Sequence, residues 1–146
     1  MKKKATVRIP RNFCFACGND NTQGMRLKFT IDPEGLQVRG VFVIAHRYQG
    51  PPKGVHGGIV ATIVDEAMGK LSRLEGVIAL TAEMTVEYLQ IVPLGRKIFV
   101  EARPLERNGR NYWRECTIRD ARGKILVRGK GRFVKVADRK PTLDYE

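Results

Sequence analysis

Most of the chain alternates hydrophobic and polar residues, a pattern that predicts short β-strands with one buried face. The first two predicted strands span residues 25–31 and 36–44, and an Asp-Pro-Glu-Gly turn at 32–35 joins them as a hairpin. Four more strands are predicted at 78–90, 97–104, 111–120 and 124–136. Short turns separate these four strands, and the Asn-Gly pair at 108–109 is typical of hairpins.

One segment, residues 57–74, has helical periodicity instead. Its apolar residues fall on one broad arc, so we expect a mostly buried helix that ends at Gly76: Ile59, Val60, Ile63, Val64, Ala67, Met68, Leu71 and Leu74. The order ββαββββ predicts an α+β domain in which an antiparallel sheet packs against a single helix. One helix leaves part of such a sheet uncovered, and we therefore expect a homodimer.

The alternation also predicts which side chains share a face of the sheet. In the strand after the helix, one face is expected to carry Ala82, Met84, Val86 and Tyr88, and the other Thr81, Glu83, Thr85 and Glu87. In the last strand, one side is expected to carry Ile125, Val127 and Phe133, and the other Arg128, Lys130 and Arg132. The last three residues form a predicted row of positive charge.

The composition of the 146 residues, 42% hydrophobic and 29% charged, predicts a single globular domain. We expect a basic extension at residues 1–12 and a tail at residues 137–146. No apolar run approaches the ~18 residues of a membrane span, so we expect no membrane insertion. The net charge of +12 favours a partner that carries phosphate, but no nucleic-acid recognition motif is present. Three cysteines cannot all pair within one chain, which favours a reducing cytoplasm over secretion.

The most informative segment begins at His56-Gly57-Gly58, directly before the helical pattern. Glycines are poor helix formers, so backbone access is a better reason for the pair than helix stability. A helix start offers unpaired N–H groups and the positive end of the helix dipole, which can hold a phosphate or stabilise an oxyanion. A tight turn that lets the helix pass close beneath the sheet explains the glycines equally well.

Two adjacent acids follow on the helix, Asp65 and Glu66. Asp65 points away from the apolar arc, and its neighbours on that side are all small: Ala61, Thr62, Gly69 and Ser72. Glu66 lies four residues before Lys70, an ordinary spacing for a helical ion pair. We therefore take Asp65 as the functional candidate and Glu66 as structural.

The sequence resembles the hotdog-fold acyl-CoA thioesterases of the phenylacetate-degradation (PaaI-like) type in three features. These are His-Gly-Gly, the carboxylate nine positions after the histidine, and the segment 81–89. The resemblance extends over residues 13–136. It implies a hotdog fold, in which an antiparallel sheet wraps one long helix. It further implies a dimer or a tetramer with active sites at the subunit interface, and hydrolysis of acyl-CoA to free acid and CoA. No cofactor is implied.

The resemblance also assigns roles to individual residues. The Gly57 N–H would bind the thioester carbonyl oxygen beside Gly58, and Asp65 of the other subunit would attack the carbon or activate water. Thr81 would orient the acid or the water, and His56 would either cap the helix or act near the thioester. Gln49, in the loop before His56, is a substrate-binding candidate. The cations that could bind the CoA phosphates are Arg128, Lys130 and Arg132, with Arg107 and Arg110 as alternatives.

Cys14 and Cys17 have a spacing found in zinc sites. A structural zinc site needs four ligands, and the chain has only one other cysteine and two histidines, so we expect no metal.

The main alternative to a thioesterase is a hotdog module that binds acyl-CoA without turnover. An intact His56, Gly57 and Asp65 favour the enzyme.

Overall fold

The computed structural model describes residues 10–140. Within them, one α-helix lies among six strands: β1 (Thr30–Asp32), β2 (Gln37–Val43), α1 (Gly57–Glu75), β3 (Val77–Tyr88), β4 (Lys97–Asn108), β5 (Asn111–Arg119) and β6 (Ile125–Asp138). All neighbouring strands pair antiparallel in one sheet with the order β1-β2-β4-β5-β6-β3. The predicted element order and the α+β class are confirmed.

Several predicted strand boundaries were wrong, and β3 ends at Tyr88 instead of the predicted residue 90. Strand β1 begins only at Thr30, because the Met25 and Leu27 amides donate instead to the carbonyls of Phe15 and Ala16. Strand β4 continues beyond Pro104 to Asn108, through a register shift between Pro104 and Glu106. Strand β6 extends to Asp138, so the tail predicted from 137 starts later. The predicted tail and basic extension otherwise fall largely on residues 141–146 and 1–9, outside the described residues.

The core lies between α1 and the face of the sheet that packs against it. The helix buries its predicted apolar arc there, with Val60, Ile63, Val64, Ala67, Met68 and Leu71 all inaccessible to solvent or nearly so. Gly129 on β6 lies where any Cβ atom would overlap Val64, so glycine lets the helix approach the strand closely. Gly76 ends α1 in the left-handed conformation, at φ 66°, as predicted. Among residues 10–140, no helix is both long and apolar enough to span a bilayer.

A bulge in β3 changes the face on which Thr81 lies. Thr81 pairs with Phe133 and Glu83 pairs with Arg132, so Ala82 is inserted between two successive pairs. Residues directly opposite each other in an antiparallel pair point to the same face, and Phe133 is buried against the helix. Thr81 therefore lies on the helix side and Glu83 on the outer side. The prediction that they share a face is wrong.

A second bulge has the same effect in β6. Ile118 pairs with Val127, whereas Arg119 pairs with Ile125, and Leu126 is the inserted residue. Ile118 and Val127 are buried, so Ile125 lies on the outer face with Arg119. The prediction that Ile125 shares the inner face with Val127 is wrong for this reason.

A fully buried arginine joins the C-terminal half of the helix to the middle of the sheet. The Arg114 guanidinium donates to Glu75 Oε1 at 2.8 Å, to the Met68 carbonyl at 2.9 Å and to Ser72 Oγ at 3.0 Å. Burial disfavours the charged form of both groups, so it lowers the pKa of Arg114 and raises the pKa of Glu75. The opposite charge of the partner shifts each pKa the other way, by less. Ser72, predicted to lie on the open side of the helix near Asp65, is instead buried against this guanidinium.

Candidate active site

The loop before α1 folds back on the helix start. The His56 N–H donates to the Tyr48 carbonyl at 2.8 Å, and Gln49 pairs with Val55 in an isolated bridge. A Cβ atom on Gly50 would lie 2.6 Å from the His56 Cα atom, so glycine is needed for this approach. The loop thus places the backbone of Gln49 beside the helix start. The Gln49 side chain is exposed, and its substrate-binding role stays a prediction.

His56 is the N-cap of α1. Its Nδ1 atom accepts a 2.9 Å hydrogen bond from the Gly58 N–H, which satisfies one of the unpaired donors of the first turn. Of the two roles considered for His56, the structure therefore supports the cap. The same bond occupies the Gly58 donor, so Gly58 contributes space to the site and not an N–H group. Within residues 10–140, the Gly57 N–H has no protein acceptor.

Tyr88, at the end of β3, fixes the position of Gly57. The Tyr88 hydroxyl donates to the Gly57 carbonyl at 2.7 Å. A Cβ atom on Gly57 would lie 3.7 Å from the Tyr88 ring, an ordinary contact, so packing within the chain does not require glycine there. The sequence indicated for Tyr88 only that it shares one face of the strand with Ala82, Met84 and Val86. Its spacing from Gly57 gives no signal for this bond, which depends on the register of β3.

Asp65 and Thr81 form the second part of the candidate site. The Thr81 hydroxyl donates to Asp65 Oδ1 at 2.6 Å, across 16 positions of the chain. In the part of the chain that the structure describes, Asp65 Oδ2 has no hydrogen-bond partner. Asp65 is partly exposed beside Ala61 and Gly69. The carboxylate is thus held by one oxygen and offers the other to a ligand.

Gly57 and Asp65 are too far apart in one protomer to act on the same carbonyl group. Eight residues separate them, which corresponds to about 12 Å along the helix axis. The structure therefore brings His56, Gly57, Gly58 and Tyr88 together at the helix start, and Asp65 with Thr81 two turns later.

The sequence around this site matches a known family. A family model described as thioesterase superfamily matches residues 53–126, slightly more than half of the chain. The chain belongs to the thioesterase superfamily. The matched residues include the helix start, Asp65 and Thr81, and the resemblance inferred from the sequence is confirmed at this level.

Relatives of this thioesterase-superfamily chain include mouse acyl-coenzyme A thioesterase THEM4, which is 35% identical over 94 residues. These residues are 64% of this chain but 40% of that protein, so the chain spans well under half the length of the curated relatives it matches. The solved thioesterase superfamily protein RHA08564 has a TM-score of 0.78 and 28% identity, and the match covers 85% of this chain and 63% of that one.

Two further solved structures share the hotdog fold. The smu.793 protein of Streptococcus mutans, solved with acetyl-CoA, has a TM-score of 0.69 at 18% identity, over 72% of this chain and 85% of that one. The PaaI protein of Escherichia coli has a TM-score of 0.66 at 14% identity, over 70% of this chain and 75% of that one. At these identities the similarity concerns the fold.

The predicted row of positive charge lies on the outer face of the sheet, opposite the helix. On the neighbouring strand β3, Glu87, Thr85 and Glu83 lie directly across from Arg128, Lys130 and Arg132. Arg132 is 3.6 Å from Glu83 and also donates to Asn111 at 3.1 Å, so its charge is already partnered. For Arg128 and Lys130, no ion pair is found among residues 10–140. Within one protomer, none of the three faces the helix start.

Proposed function

We propose that this member of the thioesterase superfamily hydrolyses an acyl-CoA thioester to the free acid and CoA. The observation that carries the proposal is the helix start. There the Gly57 N–H lacks a protein acceptor, while the His56 cap and the Tyr88 hydroxyl hold the surrounding backbone. A donor that is fixed in place before the reaction stabilises developing negative charge at little reorganisation cost. The similarity to a named acyl-coenzyme A thioesterase supports acyl-CoA as the substrate class.

In the proposed reaction, the thioester carbonyl oxygen accepts a hydrogen bond from the Gly57 N–H. The positive end of the α1 dipole lies at the same point and favours the negative charge that develops on that oxygen. The absence of a side chain at Gly58 leaves room for the acyl or pantetheine group. Addition to the carbonyl carbon then gives a tetrahedral oxyanion, whose collapse breaks the carbon–sulfur bond and releases the CoA thiolate.

Asp65 supplies the attacking group in this proposal. The Asp65 carboxylate either adds to the carbonyl carbon, forming an anhydride that water then hydrolyses, or removes a proton from the water that attacks. Both routes need a carboxylate oxygen that is free to reach the substrate or water, and the Thr81 bond to Oδ1 leaves Oδ2 free. A single turnover in ¹⁸O-labelled water that leaves the label on Asp65 and an unlabelled oxygen in the acid identifies an anhydride hydrolysed at the Asp65 carbonyl, because direct attack of water on the thioester leaves Asp65 unlabelled.

We further propose that the active site is shared by two protomers. The separation of about 12 Å between Gly57 and Asp65 prevents one helix from supplying both groups to one carbonyl. Strand β3 is an edge of the sheet, and Ile78 and Leu80 on it are 43% and 61% exposed. An unpaired edge with exposed apolar side chains is suited to pairing with a second copy.

A cytoplasmic location stays a prediction from the three free cysteines.

The activity is tested by incubating the purified chain with a panel of aryl, short-chain and long-chain acyl-CoAs and measuring the release of free thiol. We expect turnover of at least one acyl class, and its loss in Asp65→Asn. Tight binding of acyl-CoA without thiol release from any member of the panel would establish the non-catalytic binding module instead.

The shared site is tested by subunit complementation. The Asp65→Asn homodimer is expected to be inactive because it lacks the acid. The Gly57→Val homodimer is expected to be inactive because the valine side chain obstructs the helix start. After subunit exchange, a mixed dimer combines Gly57 of one chain with Asp65 of the other at one of its two sites. Random exchange makes half of the dimers mixed, and each mixed dimer has one intact site of two. The mixture should therefore show about a quarter of the wild-type activity. A mixture that exchanges subunits and stays inactive would place the whole site in one protomer.

A further inference from the structure

A group of four side chains far from the Gly57 N–H combines two thiols, a carboxylate and an ammonium. Cys14 Sγ lies 3.9 Å from Glu66 Oε2, and Cys17 Sγ lies 3.3 Å from Lys70 Nζ. Lys70 Nζ is also 3.4 Å from Glu66 Oε1, which confirms the predicted ion pair. The two sulfur atoms and a Glu66 oxygen all lie within 4.8 Å of one another. The proposed hydrolysis uses none of these four residues.

The segment before β1 holds the two cysteines over the helix in a fixed geometry. Asn12 Oδ1 accepts from the Cys14 N–H at 3.0 Å, and the Gly18 N–H donates to the Cys14 carbonyl at 2.8 Å. A Cβ atom on Gly18 would lie 2.5 Å from the Cys14 backbone nitrogen and from the Asn12 carbonyl oxygen. Glycine directly after Cys17 is therefore required for the turn that brings both thiols to the same side.

We propose that Cys14, Cys17 and Glu66 bind a zinc ion, with water as the fourth ligand. Thiolate and carboxylate are ordinary zinc ligands, and tetrahedral zinc with Zn–S bonds of about 2.3 Å needs sulfur atoms about 3.8 Å apart. The three ligand atoms already lie within 4.8 Å of one another, about 1 Å from the spacing that a tetrahedral ion requires. The sequence did not predict this site, because its third ligand lies 52 positions from Cys14.

The charges around the site fit a divalent cation. Two thiolates and one carboxylate carry three negative charges, which a divalent ion and the Lys70 ammonium together balance. Cysteine binds zinc as the thiolate, so metal binding releases the thiol protons. A bound ion would tie the segment at residues 12–24 to the middle of α1 and so stabilise the fold.

The site is tested by titrating the full chain, reduced with a phosphine, with Co²⁺ as a spectroscopic substitute for zinc. We expect a sulfur-to-cobalt charge-transfer band and the d–d bands of tetrahedral cobalt, both saturating at one equivalent and lost on adding Zn²⁺. Cys14→Ser and Cys17→Ser should each abolish the charge-transfer band of the two-thiolate site. Glu66→Gln should weaken binding at least about tenfold.

Matched controls are Cys116→Ala, which removes a buried thiol on β5, and Glu34→Gln, which removes an exposed carboxylate in the β1–β2 turn. Both should bind cobalt like the wild type. Zn²⁺ should also raise the melting temperature of the wild type and of both controls, but not of Cys14→Ser. Absence of a cobalt–sulfur band in the reduced wild type, or a band that persists in the Cys14→Ser, Cys17→Ser double variant, would overturn the proposal.

Discussion

The Thr81 hydroxyl donates a 2.6 Å hydrogen bond to Asp65 Oδ1 because the bulge at Ala82 turns Thr81 toward the helix. In a regular strand, Thr81 would point to the outer face together with Glu83. A single inserted residue therefore determines whether the carboxylate has a partner. Bulges commonly redirect a side chain beside a functional site in this way.

Replacement of Thr81 by valine should lower kcat about 10- to 100-fold, because the carboxylate loses the bond that orients it. Thr81→Ser keeps the hydroxyl and should retain most of the activity. Both variants should melt close to the wild type, since Thr81 is exposed. Steady-state kinetics on the best acyl-CoA of the panel provides the measurement. Equal kcat values for the valine and serine variants would show that the hydroxyl has no positioning role.

Asp65→Asn should lower kcat by about 10²- to 10⁴-fold while the fold is retained, because the amide has nearly the same shape but is neither a nucleophile nor a base. The matched control is Asp120→Asn in the β5–β6 turn. There the amide oxygen can still accept the Arg122 and Lys124 N–H bonds at 2.9 Å. We expect the control to keep wild-type kinetics. An Asp65→Asn enzyme with most of its activity would remove Asp65 from the mechanism.

The cap formed by His56 can be separated from any chemical role by two substitutions. His56→Ala removes the acceptor of the Gly58 N–H and should cost about 1 kcal/mol of unfolding free energy. Asparagine is a good N-cap residue, so His56→Asn should restore the stability and most of the activity. Urea denaturation and kinetics on the same samples test this. An asparagine variant that is stable but inactive would give the imidazole a direct part in hydrolysis.

The sequence predicted the element order and the end of the helix at Gly76, because these depend on local periodicity and glycine content. The choice of Asp65 over Glu66 stays a prediction. The sequence did not predict the contacts that define the site. The Tyr88 bond to Gly57 and the Thr81 bond to Asp65 both depend on the register of β3. Strict alternation assigned Thr81 to the wrong face, because one bulged residue reverses the face of every side chain before it.

The buried ion pair of Arg114 and Glu75 gives a prediction about stability. Glu75→Leu should destabilise the fold by about 3 kcal/mol, because it leaves the fully buried guanidinium without a counter-charge. The double variant Arg114→Met, Glu75→Leu removes both charges and should be more stable than Glu75→Leu alone. Urea denaturation of the two variants measures the difference. A double variant less stable than Glu75→Leu would show that Arg114 stabilises the fold mainly through Met68 and Ser72.

The net charge of +12 leads to a prediction about CoA binding. If cations contact the CoA phosphates, the KM for acyl-CoA should rise with salt, since exposed charges are screened over about 8 to 10 Å. An acyl-pantetheine lacks the nucleotide, so its KM should be higher and nearly independent of salt. Its kcat should also fall where nucleotide binding helps to position the thioester. KM measured for both substrates between low and high salt tests this.

The outer row of cations can be tested separately from the total charge. Arg128 and Lys130 are the members to change, because Arg132 is already paired with Glu83. Their joint replacement by glutamine should raise the KM for acyl-CoA several-fold and leave that for acyl-pantetheine unchanged. The matched control removes two exposed charges elsewhere, Lys28→Gln with Arg122→Gln, and should leave both KM values near wild type. If the KM for acyl-CoA rises equally in both double variants, the phosphates respond to the overall field of the protein and not to this row.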